Sequence, residues 1–243
     1  MFVAAKIAYD GSKFYGFAKQ QEYLSVIGFL EDVMQKLGIK TKVIGAGRTD
    51  KGVHATGQII KFEIPNFWNL DRLLYLLNLK TYPMVLFKRI WEVAENFHPR
   101  FDAKRREYRY IFGSSKKNIY LHSYVSYEQY GDKEKIKEAM RMFIGKHDFA
   151  LFSKSGSDAK TSVREIYKAY LYEHCIFQEE YLVACFQANG FLYAQIRMMM
   201  GAILAFSRGE FSLEDMRLQL LAKKRIYWIP SSPNGLYLTK IFY

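Results

Sequence analysis

Apolar residues along this chain follow two rhythms, one of period two and one of period three to four, and the switches between them mark the elements. Residues 3–9 read as a strand. A helix follows over 26–37, with Val26, Phe29, Leu30, Val33, Met34 and Leu37 on one face, Ser25 as N-cap and Gly38 placed to end it. Residues 42–46 read as a short strand and 56–64 as a longer one. Asn69 caps a second helix carrying Leu70, Leu73, Leu74 and Leu77, and 84–93 returns to strand. The order β-α-β-β-α-β is the ferredoxin-like pattern.

The second half repeats that order without repeating the sequence. Residues 106–113 read as a strand, and Asp132 caps a helix carrying Ile136, Ala139, Met140 and Phe143, with Gly145 at its end. Two strands, 164–173 and 181–189, precede a mostly buried helix over 191–206. Ser212 and Asp215 have capping-box spacing, and 235–243 closes as a strand. Residues 153–161 are polar and read as a flexible loop. The pattern predicts an α+β chain of two ferredoxin-like halves whose antiparallel sheets join, with a basic cleft between them. The halves are 1–102 and 103–243.

Charge sharpens this picture. Lys and Arg number 36 against 24 Asp and Glu, a formal net charge of +12, which points to a polyanionic partner. Half of the 243 residues are hydrophobic, enough for a large core and against disorder. Two cysteines, Cys175 and Cys185, are no disulfide framework and suit a reducing compartment. The N-terminus lacks the order of a secretory signal, and the apolar stretch 191–206 is broken by Gln195 and Arg197. These features predict a soluble, cytoplasmic protein. The five histidines and two cysteines show no metal-ligand spacing.

The densest chemistry lies in GAGRTDKGVHATGQ, residues 45–58. It fits neither the dinucleotide fingerprint, whose third glycine place holds Asp50, nor a P-loop, which needs Gly-Lys-Ser/Thr. One reading is a tight connection whose glycines take positive φ and whose Asp caps a turn. The other is chemical. Arg48 and Lys51 would keep the Asp50 carboxylate ionised, the glycines would let a flat base approach, and an ionised acid beside a flipped base can act as a nucleophile.

This segment resembles the signature of the tRNA pseudouridine synthase A family. YDGSKFYGF (residues 9–17) is similar to the family's opening motif, with Phe17 where a tryptophan is usual. FHPRFDAKRREYRY (97–110) resembles its middle motif. GKHDFALF (145–152), ANGFLYAQIRMMMGAIL (188–204) and GLYLTKIFY (235–243) resemble later blocks in the right order. The resemblance implies the pseudouridine synthase fold and an isomerase that converts uridine to pseudouridine at positions 38–40, in the anticodon stem-loop of tRNA. It implies a homodimer and no cofactor or metal.

By the same resemblance Asp50 is the nucleophile, with attack on sugar or base left open. Arg48 helps flip the target, Tyr108 packs against the uracil, Arg197 pairs with the catalytic acid, and Leu236 lends an apolar wall. Phe97, His98, Pro99, Arg100 and Phe101 match one tRNA-contacting stretch, and Ala159, Lys160, Thr161, Ser162 and Val163 align with a second. The residues also admit plainer readings. Tyr108 fits an alternating strand face, and the basic run Lys104, Arg105, Arg106, Arg109, Lys116 and Lys117 could be a solvated surface, although interleaved aromatic rings suit phosphate tracking better. Arg197 within an apolar helix needs a carboxylate partner, and Asp50 is the expected one. KTSV (160–163) replaces a usual Thr-Pro-Trp, and no histidine precedes Arg197 in its helix. A non-catalytic RNA-binding module lacks its RNP1 pattern here.

Overall fold

The computed structural model describes residues 1–114, 118–156 and 159–243. Lys116 and Lys117 of the basic run, and Ser157 and Asp158 of the polar loop, lie outside the described residues. The chain divides into two compact units, residues 1–104 with 237–243, and residues 105–236.

In the first unit the elements are β1 (Phe2–Tyr9), α1 (Val26–Lys36), β2 (Ile44–Gly45), β3 (His54–Glu63), α2 (Leu70–Thr81) and β4 (Val85–Glu92). β1 lies between β3 and β4, antiparallel to both, and β2 pairs with the far end of β3, Ile44 opposite Lys61. This is the expected β-α-β-β-α-β order. Both helix starts follow from their caps: the Ser25 hydroxyl accepts from Gly28 N at 3.2 Å, and the Asn69 side-chain Oδ1 accepts from Arg72 N at 3.0 Å. α1 buries Val26, Leu30, Val33 and Met34, and α2 buries Leu73 and Leu77. α2 packs on β4 and against α1.

The second unit holds β5 (Arg105–Gly113), β6 (Ser126–Tyr127), α3 (Lys133–Met142), β7 (Gly145–Asp148), β8 (Val163–Ile176), β9 (Glu179–Ala188), α4 (Gln195–Ser207) and α5 (Leu213–Leu220). β9 runs antiparallel between β5 and β8, and β7 extends the sheet beyond β8. α3 packs on β8 and α4. All of α4 is buried except Arg197, which is half-buried. Ser212 and Asp215 form the expected capping box at α5.

Three expectations need correction. The helix 191–206 starts only at Gln195. Ala194 turns left-handed at φ 57°, and the Gln195 side chain accepts from Leu192 N at 2.8 Å, so 191–194 form a turn. Gly145 does not end α3, which stops at Met142. It opens β7 with φ 108°, a conformation glycine tolerates. The last strand, β10 (Leu236–Phe242), was expected to close the second half. Residues 237–243 instead belong to the first unit, where Tyr237 and Leu238 pair parallel with His54 and Ala55 of β3.

Candidate active site

Asp50 sits in the connection between β2 and β3, held on one side by the end of β1 and the segment after it and on the other by the loop's own turn. On the near side, Thr49 is buried at 7% exposure, and its hydroxyl meets the Tyr9 phenol at 2.7 Å. The Thr49 carbonyl accepts from Phe17 N at 3.0 Å. On the far side, a turn with Gly52 at φ 79° lets Val53 N donate to the Asp50 carbonyl at 3.1 Å. His54 then begins β3, fully buried, its Nδ1 accepting from Gly11 N at 3.0 Å and its ring stacked on Tyr237 at 4.7 Å. Deeper still, Gln58 donates to the Gly47 carbonyl at 2.6 Å. Asp50 is half-buried, and Arg48 and Lys51 are exposed.

The glycines of this loop act chiefly by close approach. Of the four, only Gly52 has positive φ, so the reading in which the loop's glycines take positive φ holds at that position alone. A Cβ on Gly45 would lie 2.2 Å from the Phe17 ring, and one on Gly57 would lie 2.0 Å from the Thr239 carbonyl. Phe17, standing where tryptophan is usual in the resembling family, is buried at 2% and stacks on Tyr9 at 6.0 Å.

The motif 97–102 is a self-closed turn in the same unit. His98 N donates to the Asp102 carboxylate at 2.8 Å, and Asp102 N returns to the His98 carbonyl at 3.0 Å. The Tyr243 phenol donates to the Pro99 carbonyl at 3.0 Å and its ring lies 5.2 Å from Phe97. This leaves Phe101 at 74% exposure, with the His98 ring 4.2 Å away and the Arg100 guanidinium 5.8 Å over its face.

In the second unit, Tyr108 lies on β5 at 8% exposure, edge-on to Phe191 at 5.3 Å. Arg197, on α4, donates through Nε to the Ser231 carbonyl at 2.9 Å, and Ser231 N donates back to the Arg197 carbonyl at 2.9 Å. Leu236, at 5% exposure, follows a short turn at Pro233–Gly235. That turn is tied to β5 and β6 by the fully buried Tyr110. Its hydroxyl meets Ser126 Oγ at 2.7 Å, Glu128 Oε1 at 2.8 Å and the Ser232 carbonyl at 3.0 Å, while Ser232 N donates to Glu128 at 2.7 Å. Burial, then the Glu128 charge, push the Tyr110 phenol well above its ordinary pKa, so it stays a donor. In the stretch 159–163, Lys160 and Thr161 are exposed and the other three half-buried, with Ser162 accepting from Phe149 N at 3.1 Å. Among the described residues no group of three or more His, Cys, Asp or Glu could hold a metal ion, and no helix is long and apolar enough to cross a membrane.

The model of a family described as tRNA pseudouridine synthase matches residues 5–102 and 139–243. The chain belongs to the tRNA pseudouridine synthase family. Three proteins named tRNA pseudouridine synthase A illustrate the likeness. That of Helicobacter hepaticus is 43% identical, with 98% of each chain covered. That of Wolinella succinogenes is 42% identical over 98% of this chain and 92% of its own. That of Helicobacter pylori (strain 26695) is 38% identical with 98% of each covered. Among solved structures, an archaeal box H/ACA sRNP Nop10–Cbf5 complex matches at TM-score 0.41 and 11% identity, over 98% of this chain and 48% of that one, a likeness too slight to carry weight.

For a member of this family, the supports of the Asp50 loop were the part that sequence reasoning missed. Tyr9, Gly11, Thr49 and His54 form the clamp. His54 is a buried strand residue. The Asp10 carboxylate lies 3.5 Å from His54 Nδ1. The available signal was the joint presence of the motifs at 9–17 and 45–58.

Proposed function

We propose that this chain isomerises uridine to pseudouridine at positions 38–40 of tRNA, with Asp50 as nucleophile. The observation that carries the reading is the fixation of the Asp50 backbone, one residue before and three after, inside a loop that bears the family's signature. A half-buried carboxylate on a preorganised loop needs little reorganisation to attack. The target base must first leave its stack, at a cost of a few kcal/mol. Exposed Arg48 suits occupation of the vacated place, and Tyr108, in its aromatic setting, suits packing against the uracil. For Arg197 the proposal is a charge pair with the catalytic acid, its Nε–Ser231 bond setting the guanidinium's orientation. Leu236 supplies apolar wall, anchored through the Tyr110 network.

The exposed Phe101 ring with Arg100 above it is suited to RNA, where stacking and phosphate attraction act together. We assign residues 97–101 and 159–163 to tRNA contact on that basis. A cytoplasmic homodimer completes the proposal. The test is Asp50→Asn incubated with unmodified tRNA transcripts, with pseudouridine mapped by position. Abolished product with tRNA binding and thermal melt retained is expected. Turnover near wild type would remove Asp50 from its role.

A further inference from the structure

Beside the Asp50 loop stands a short column of groups to which neither motif nor family reading gives a task. The Tyr15 and Tyr23 rings stack at 4.5 Å with 15° between their planes. The Lys51 ammonium lies 3.8 Å from the Tyr15 centroid. A ring at 4.5 Å and an ammonium at 3.8 Å cannot share one face, so Lys51 and Tyr23 cover opposite faces of Tyr15. Tyr23 therefore ends the column. Tyr23 is 49% exposed.

The column is held in place. Tyr15 N donates to the Leu24 carbonyl at 2.8 Å, and the Gln20 side chain donates to the Tyr15 carbonyl at 2.7 Å, which closes the loop carrying both tyrosines. Its base, Lys51, is the residue after Asp50. In the chain segments beside the two tyrosines, Ser12, Lys13, Lys19, Gln20, Gln21 and Glu22 are exposed, as is Leu24 at 48%. An exposed aromatic ring, a cation on the stack beneath it, mostly polar neighbours and a chain of net charge +12 match the usual makeup of a single-stranded nucleic acid contact.

We propose that the outer face of Tyr23 stacks an unpaired nucleobase of the tRNA substrate, with Lys51 attracting the adjoining backbone phosphate. This rests on the reading of tRNA as substrate. Every base has a π face, so the subsite takes any base and discriminates unpaired from paired RNA. Lys51, polarising the stack from behind, couples this contact to the loop that carries Asp50.

The experiment compares Tyr23→Ala and Tyr23→Phe with wild type, measuring Kd for an unmodified tRNA transcript and for a blunt RNA duplex of similar length. Tyr23→Ala is expected to weaken tRNA binding about tenfold, as loss of one base stack does, and to leave the duplex within twofold. Tyr23→Phe keeps the ring and is expected to stay within twofold on tRNA. Lys51→Ala is expected to make the salt dependence shallower by about 0.7–0.9 in log–log slope. Tyr23→Ala binding tRNA as wild type does would overturn the proposal, as would equal losses on tRNA and duplex. A changed oligomeric mass without a change in tRNA binding would overturn it too, and assign the face to a second copy. If wild type makes no pseudouridine, the functional reading fails. If wild type is active and Tyr23→Ala binds normally, this proposal alone fails.

Discussion

The bond between the Tyr9 phenol and the Thr49 hydroxyl offers the most direct test of how the Asp50 loop is held. Both residues are buried, at 5% and 7% exposure, and their oxygens lie 2.7 Å apart. Thr49→Val keeps the shape and removes the hydroxyl, leaving the phenol facing a methyl group. Removing one partner of a buried hydrogen bond costs about 1–3 kcal/mol, and removing both costs less than the sum. Thr49→Val and Tyr9→Phe should therefore each destabilise by about 2 kcal/mol, which for a chain of this size lowers Tm by about 4–8 °C. The double variant should fall well short of the sum, with a coupling of about 1–2 kcal/mol. The cycle isolates this pair whatever else the Tyr9 ring touches. Calorimetry of the four proteins supplies the energies, and kcat on tRNA supplies the functional arm. Because Thr49 precedes Asp50, a small displacement there should lower kcat about tenfold or more. Additive losses, or an unchanged kcat in a folded Thr49→Val, would refute the clamp.

Other outcomes follow from the same geometry. Tyr110→Phe removes a fully buried donor to the Glu128 carboxylate and should cost about 2 kcal/mol in a thermal melt; an unchanged Tm would show that the network holds nothing. Arg100→Ala should weaken tRNA binding and reduce the salt slope by about 0.7–0.9, and an unchanged slope would remove Arg100 from the phosphate contacts. Cys185 is buried, and burial raises its thiol pKa above the ordinary value, so the reactive thiolate is suppressed at pH 8, whereas Cys175 is exposed. Ellman's reagent should titrate one thiol quickly in the native protein and the second only on unfolding; two fast thiols would contradict the placement of Cys185.

What could be read in advance divides by range. Ser25, Asn69, Asp132 and Ser212 each cap a helix within four residues of themselves, so local sequence contains the whole interaction. Strand alternation is local in the same way. The allegiance of β10 is not, because its pairing with His54 and Ala55 is decided across most of the chain, and no periodicity records it. The start of α4 failed for a subtler reason. Residues 191–194 are as apolar as the helix they precede, and only the left-handed Ala194 separates the two. The extra strands β6 and β7 are too short for a period to register.

At the site, the chemistry was legible and its mounting was not. Asp50 stands out because a carboxylate among glycines and cations is unusual in a short window. Its supports come from about forty residues away, and the glycines that admit them act by close approach. Gly11 and Gly45 have no positive φ. Gly11 lies where a Cβ would be 2.1 Å from the Val53 carbonyl, and Gly45 faces Phe17 at 2.2 Å. These glycines are required by what packs onto them, so their role is invisible until the partner segment is placed. The same fact explains why two distant motifs occur together. The segment 9–17 can grip the loop 45–54 only if one of the two surfaces lacks a side chain where they cross at Gly11 and Gly45, so a Cβ at Gly11 would force apart the backbone that fixes His54 and, through Val53, the turn of Asp50 itself.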